Sequence, residues 1–460
     1  MRSATRFWAL FLGLLAPPAA CAASGFTIET AQGGPSFLGQ YTSIALDSQG
    51  NPHISYYDET HGTLRYASRG VGGWTSELAD SNAHRVGPFT SLAIDAQDVP
   101  HISYYDDSAG DLWYAKKVGA TWIHERVDGD AADVGVGTSI ALDAAGNPCI
   151  SYDDLTNGDL KFARRSGGVW AAETADNSTD VTGAYSSLAL DSQGNPHVSY
   201  YDETTGDLLY ASKIGGIWSS EIADVSDDNT GLYTSLALDF FDHPHISFYD
   251  MTNGDLKYAE KTSGSWSVET ADASANDVGY DTSIALDGAG FPHISYQDGT
   301  VEDLLYARKV TGSWEILPVD QSFNSTGWYT SLAIDLSGRP HISYQDGTTS
   351  DLKYAVGPQE LTAADPGPLP HVASLAFYPN PCRGALQIRG LANDSRPAAA
   401  VEIFTVSGKL IRRLNLDASG RGVWDVRDEQ GRRVQAGMHF VRAIGPDGTF
   451  GPSRRVVILD

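Results

Sequence analysis

The sequence predicts an all-β chain, a seven-bladed β-propeller followed by a small second β-domain. Three observations carry this reading. A unit of 48 residues recurs seven times, from Tyr41 (YTSIALDSQGNPHISYYDETHGTLRYA) with copies beginning at Phe89, Gly137, Tyr185, Tyr233, Asp281 and Tyr329. A fixed period of this size marks propeller blades or a solenoid. Each copy holds four short runs rich in Ile, Tyr, Thr and Trp, separated by Gly, Asn, Asp and Pro clusters, a pattern that excludes a helical array. The third observation is that the repeat stops before a tail of opposite charge balance.

In chain order, residues 1–23 read as a secretory signal peptide. Arg2 and Arg6 precede an apolar run from Phe7 to Ala16, then Pro17-Pro18 and the small residues Ala19 to Ala23. The run is too short to span a bilayer, cleavage is expected near Ala22 or Ala23, and no later stretch suits a transmembrane segment. Cys21 is where a lipoprotein anchor would attach, but Pro18 stands where that signal wants Leu. The expected address is the secreted or outer cell-surface space.

Residues 24–356 form the propeller. We letter the four strands of a blade a to d. Every d strand opens on a tryptophan (Trp74, Trp122, Trp170, Trp218, Trp266, Trp314), except that nothing follows the seventh copy at Ala355. Counting back 48 from Trp74 reaches Phe26 in GFTIETA, so the N-terminal segment is expected to supply the missing outer strand and close the ring. Ser43 and Ala45, with their equivalents, place small side chains on one face of strand a, as crowding at the axis requires, while the tryptophans fill the splayed periphery.

Residues 357–371 (GPQELTAADPGPLPH) read as a Pro-rich linker, and 372–460 as the second domain. Of the formal net charge of −27, +5 falls on 372–460 and +2 on the leader, leaving −34 between them. That acidity argues against nucleic acid as a partner. Three cysteines make no disulfide framework, and Cys149 reads as a small buried residue.

The repeated polar residues each have two readings. The a–b connection (DSQGNPH in blade one) resembles a sialidase aspartate box, but its Asp–Gly spacing is three instead of two, so it reads as a tight turn. His53, His101, His197, His245, His293 and His341 share one position, with Cys149 in the remaining blade; one ligand per blade makes no coordination shell, and a buried His bonded to the Ser two residues on, or to a neighbouring Asp, is expected. Asp58, Asp106, Asp154, Asp202, Asp250, Asp298 and Asp346 end the b strands and are the candidate ligand-binding residues. A second set (Asp111, Asp159, Asp207, Asp255, Asp303, Asp351, with Thr63 breaking the series) makes Ca²⁺ conceivable at these turns, although Asp is also an ordinary turn residue and no other cofactor is indicated. Antiparallel order puts the b-strand ends on one face with the long d–a loops, where propellers usually bind. Symmetry is broken near that face by Asp153, Gln297 and Gln345 in place of Tyr57, and by His84 with Arg85. No nucleophile elbow, HExxH or sialidase-type arginine triad is present, so no catalytic residue is assigned.

The tail carries Tyr378-Pro379-Asn380-Pro381, then VEIFTVSGKLIRRL with Ser407-Gly408-Lys409, then Gly431, Val434, Gly437-Met438-His439-Phe440 and the closing RRVVIL. Over about 85 residues it resembles the C-terminal sorting domains of type IX secretion and the related immunoglobulin-like domain of the flagellar hook-capping protein; His439 stands where the family usually has Tyr. The resemblance implies an immunoglobulin-like β-sandwich and recognition by secretion machinery, and the alternating runs LQIR and VEIFTV agree with the fold. The propeller resembles secreted bacterial repeat proteins. The function expected is non-catalytic binding of a polymer or protein ligand, such as a glycan or matrix polysaccharide. The alternative is a carbohydrate-active hydrolase or lyase on the same scaffold. Seven near-equal blades further suggest equivalent, multivalent sites.

Overall fold

The computed structural model describes residues 25–358, apart from 81–84, 130, 131, 227, 311, 323 and 336, and in the tail 374–378, 386–391, 400–405, 409–417, 421–444 and 450–458. The signal-peptide reading, most of the linker, His84 and the Pro379-Asn380-Pro381 and Ser407-Gly408 motifs lie outside the described residues.

Among the described residues there is no helix, and the first part is seven four-stranded antiparallel sheets. In blade one the strands are Leu38–Leu46, Pro52–Asp58, Thr63–Gly70 and Gly73–Asp80, hydrogen-bonded in that order. Strand b is buried along nearly its whole length in every blade, so each sheet is covered by the next on both faces.

The ring closes as the offset of 48 predicts. Thr27–Gln32 pairs antiparallel with Asp351–Val356, placing Thr27 opposite Val356 and Glu29 opposite Tyr354. Phe26 meets Tyr306 edge to face at 5.6 Å, repeating the Trp–aromatic contact of the other junctions, such as Tyr66–Trp122 at 5.2 Å and Tyr354–Trp74 at 5.1 Å. At six junctions the indole N–H also donates to a glutamate of the preceding d strand, as Trp170 does to Glu125 at 2.9 Å beside the Arg165 ion pair. Phe26 has no such donor, and there Glu315 turns to Arg308 on its own blade, at 2.7 Å.

The axial serines do more than save space. Each Ser43-type hydroxyl accepts the amide N–H of the next blade's strand a (Leu92 to Ser43 at 3.0 Å), and the series ends with Ile44 donating to Ser331 at 3.2 Å. Deeper in, Thr90 donates to Ser55 at 2.8 Å, and Ser/Thr pairs recur between blades as far as Thr42 with Ser343. Two complete hydrogen-bond rings therefore join all seven sheets. The serines that sequence reasoning pairs with the histidines belong to this second ring.

In the tail, Ser374–Tyr378, Leu386–Leu391 and Arg421–Trp424 form a three-stranded sheet, and Leu410–Asn415, Ala400–Thr405, Gly437–Ile444 and Phe450–Ile458 a four-stranded one. Their inner side chains (Leu386, Ile388, Val401, Ile403, Val441, Val456) close over Trp424, whose indole N–H donates to the Arg427 carbonyl at 2.9 Å. His439 is buried against the Trp424 ring, 6.1 Å away. This is the β-sandwich that the alternating runs predict.

Candidate functional site

The seven b-end aspartates lie on one face together with the starts of the a strands: Leu38 opposes Asp58 and Val134 opposes Asp154. They are between 0 and 4% exposed. Asp250 Oδ1 accepts the amides of Thr252 and Asn253 at 3.0 Å, and Asp346, Asp298, Asp202 and Asp106 hold their own b–c turns in the same way. Asp58 and Asp154 bond the amides of His61 and Asn157. A strand-c cation adds a distant partner in four blades, for example Lys257 to Asp250 at 3.5 Å. These carboxylates support the face from beneath, and among the described residues no group of three His, Cys, Asp or Glu converges as a metal site.

Each histidine bridges two strands and a turn. Its Nδ1 meets a strand-c tyrosine hydroxyl (His101 with Tyr114 at 2.6 Å), and its Nε2 faces the aspartate of the a–b turn (His101 with Asp95 at 3.2 Å). The same aspartates accept turn amides, as Asp47 does from Gln49 at 2.9 Å and Asn51 at 2.8 Å, which is the turn role expected of DSQGNPH. Burial is the largest influence on His53, His101, His197 and His341 and holds their pKa values below the usual imidazole range.

Sequence reasoning missed the residues that open onto the axis of this face. Strand a carries two register shifts at its start, for example between Leu38 and Gln40 and between Gln40 and Ser43. Bulges of this kind re-aim a side chain. Within them Tyr41, Phe89, Tyr185, Tyr233, Asp281 and Tyr329 all take left-handed backbone conformations, with φ of 49 to 55°, and Gly137 takes 58°. Bulky residues rarely adopt this region, and each instance costs on the order of 1 kcal/mol or more. One signal was available: these seven residues begin the seven copies, and that column alone mixes Tyr, Phe, Gly and Asp.

Together they line a funnel of about 200 Å³, floored by Thr42, Thr90, Thr138, Ser186, Thr234, Thr282 and Thr330. The aromatic rings form two arcs. Tyr329, Tyr41 and Phe89 stand with centroids 4.7 and 4.5 Å apart, and Tyr185 and Tyr233 at 4.8 Å. Gly137 and Asp281 separate the arcs. Asp281 Oδ2 accepts the Tyr329 amide at 2.7 Å, and burial pushes its pKa up to about 6. Burial first, then the Asp281 charge, raises the phenols of Tyr41, Tyr185 and Tyr233, and the same charge acts on Tyr329.

A second circle surrounds the funnel at the Tyr57 position. Tyr105 donates to Asp133 at 2.7 Å, Tyr201 to Asn229 at 3.0 Å and Tyr249 to Asp277 at 2.6 Å. Gln297 and Gln345 instead donate to the carbonyls of Thr326 and Leu38, at 2.9 and 2.7 Å. Asp153 is buried, and its Oδ1 has no hydrogen-bond partner among the described residues. Arg85 lies 6.0 Å from the Tyr57 ring and pairs with Asp107 at 3.3 Å.

No family model matches this sequence, and no curated protein matches it. Solved structures do. A fungal alcohol oxidase of family AA5, determined in complex with copper, aligns over 94% of this chain and 100% of its own at 11% identity, with a TM-score of 0.53. A polysaccharide lyase of family PL25, an ulvan lyase, aligns over 71% of this chain and 96% of its own at 12% identity and 0.51. The likeness is one of fold. PorZ, a surface component of the type IX secretion system of Porphyromonas gingivalis, aligns over 95% of this chain and 59% of its own at 14% identity and 0.42. Among the described residues no helix is long and apolar enough to cross a membrane.

Proposed function

We propose that this is an exported, non-catalytic binding protein whose propeller, residues 24–356, takes a saccharide or matrix-polymer ligand at the axial funnel, on the face that Asp58, Asp106, Asp154, Asp202, Asp250, Asp298 and Asp346 support. Residues 372–460 serve export or attachment, through the resemblance to type IX sorting domains. One observation carries the reading: six non-glycine residues hold a strained backbone conformation around one cavity, and strain of this kind collects where a ligand is gripped. Aromatic arcs offer flat apolar surface to a sugar ring, and the hydroxyls on the floor supply hydrogen bonds. The mixed Tyr, Phe, Gly and Asp ring breaks sevenfold equivalence, which supports one ligand per propeller over a multivalent array.

The hydrolase or lyase reading has one observation in its favour, the raised pKa of Asp281, which suits a general acid. Against it, Asp281 is the one carboxylate among the lining residues, and glycoside hydrolysis commonly needs two. The lining phenols are moved away from ionisation, which leaves them protonated near neutrality and without a phenolate to act as base.

Calorimetry with short oligosaccharides, paired with chromatography of the mixture over time, tests this. We expect one site per chain, about tenfold weaker binding in Tyr41→Gly and Tyr329→Gly, and no new product; glycine is the substitution that position tolerates, since Gly137 already holds it. Binding unchanged in both variants overturns the funnel as the site, and accumulating product overturns the non-catalytic reading.

A further inference from the structure

Asp281 is a carboxylate with no cationic partner among the described residues. Among the described residues its only hydrogen bond comes from the Tyr329 amide, no basic side chain lines the funnel, and four tyrosines and a phenylalanine surround it. Asp281 is partly exposed at the funnel, and a charge drawn partly out of water is retained in proteins when it is paired or bound to something. Two other carboxylates of this propeller keep that rule: Asp128 has Lys161 at 2.6 Å, and Glu125 has Arg165 at 2.8 Å. Aromatic rings add the attraction of their π-faces for organic cations, the physics by which aromatic cages hold ammonium groups.

The geometry points to an organic ammonium group, either a quaternary ammonium or the protonated amine of an amino sugar, as the chemical feature that the funnel binds, with Asp281 as counter-ion and Tyr41, Phe89, Tyr185, Tyr233 and Tyr329 as the cage. This rests on the funnel being the binding site and adds the class of ligand. The charge of the molecule agrees with it. Residues between the leader and the tail carry −34, and Glu59 and Glu203 act on the tyrosines at the mouth, so an approaching cation is attracted and an anionic polymer repelled. Selectivity follows from the same parts. A neutral sugar gains stacking and hydrogen bonds but leaves the carboxyl protonated or unpaired, whereas a cation pairs with it.

Proton linkage gives the inference its own signature. The groups facing Asp281 are Tyr41, Tyr185, Tyr233 and Tyr329, whose phenols burial holds protonated near neutrality, with Tyr280 beside Tyr233 and Glu59 and Glu203 further out. A cation that binds the ionised carboxylate must therefore displace the proton that the free protein holds at mildly acidic pH.

The test titrates the full chain with tetramethylammonium chloride, glucosamine, N-acetylglucosamine and glucose. Calorimetry is run at about pH 5 and pH 8 in buffers of different ionisation heat. We expect the two cations to bind once per chain, at least tenfold more tightly than the two neutral sugars. With tetramethylammonium, which carries no titratable proton, close to one proton should be released at the lower pH and none at the higher; glucosamine should instead take up proton at the higher pH, where part of it is the free amine. Asp281→Asn should remove that preference and the proton release while leaving the neutral sugars unaffected. A gain-of-function variant guards against a folding defect: Gly137→Asp places a second carboxylate across the ring in a backbone conformation that Asp281 already adopts, and should tighten tetramethylammonium several-fold. Tetramethylammonium without glucosamine assigns the site to quaternary ammonium groups; the reverse assigns it to amino sugars. Neutral sugars binding at the funnel as tightly as the cations overturn this inference alone. No funnel-dependent binding by any of the four overturns it together with the proposed function.

Discussion

Asp153 stands where four blades have a tyrosine and two a glutamine, and it is the one member of that circle buried as a carboxyl. Burial, followed by the charges of Glu203, Asp154 and Asp133, pushes its pKa up to about 7. The folded protein therefore holds a proton that the unfolded chain releases near its ordinary value of 3.8. Stability linked to this group is full below that value and lost as pH rises through about 7. Asp153→Asn removes the charged form and keeps the shape. It should stabilise the propeller by about 4 kcal/mol near pH 8 and by almost nothing near pH 4, read from urea midpoints at the two values. An equal gain at both would show that ionisation of Asp153 is not what costs stability. At this scale sequence reading found Asp153 as an oddity but passed over Asp281, because a column that starts each repeat looks like a boundary and not part of a cavity lining.

At the scale of strands, blade three shows why two substitutions occur together. In the other six blades a strand-b histidine meets a strand-c tyrosine, as His101 meets Tyr114. Blade three has Cys149 and Phe162 at those places, and Arg164 fills the space, donating to Cys149 Sγ at 3.1 Å and to the Gly194 carbonyl at 2.5 Å. A tyrosine there would bury a hydroxyl without the imidazole, and a histidine would bury an Nδ1 without the hydroxyl. Phe162→Tyr and Cys149→His should each destabilise the propeller, and the double variant should recover about 1 kcal/mol beyond additivity in a double-mutant cycle. Additive effects would mean that the pair is coupled only by descent. Both residue changes are visible in the repeat alignment. Their partnership is not, because strands b and c bring together residues 13 apart only once the hairpin register is set.

For the molecule as a whole, closure is the decisive feature. The Ser43-type and Ser55-type hydrogen-bond rings, together with the outer Trp–Glu contacts, tie every blade to both neighbours, and the pairing of Thr27–Gln32 with Asp351–Val356 completes the seventh sheet. Removing residues 25–34 leaves the Asp351–Val356 strand as an open edge and deletes Glu29, the partner of Trp74 and Arg69. The shortened protein should aggregate or lose its single cooperative urea transition, measured by light scattering and tryptophan fluorescence. A truncated propeller as stable as the full chain, and no more prone to aggregate, would show that six complete blades and a three-stranded seventh suffice.

The period of 48, the strand content and the circular permutation of the last blade were readable from residues alone, because repetition turns one local pattern into seven agreeing observations and a missing tryptophan into a located gap. The turn role of the DSQGNPH motif was equally legible, since Asp, Gly and Pro act on their own neighbourhood. Which polar residues serve the scaffold and which open onto the axial funnel was decided only by the tertiary structure. The repeated b-strand aspartates, conspicuous in sequence, are drawn beneath the surface by backbone amides of their own turns. Tyr41, Phe89, Tyr185, Tyr233, Asp281 and Tyr329 meet because seven strands converge on one axis, and that convergence lies between residues 48 apart, beyond the range of any local pattern.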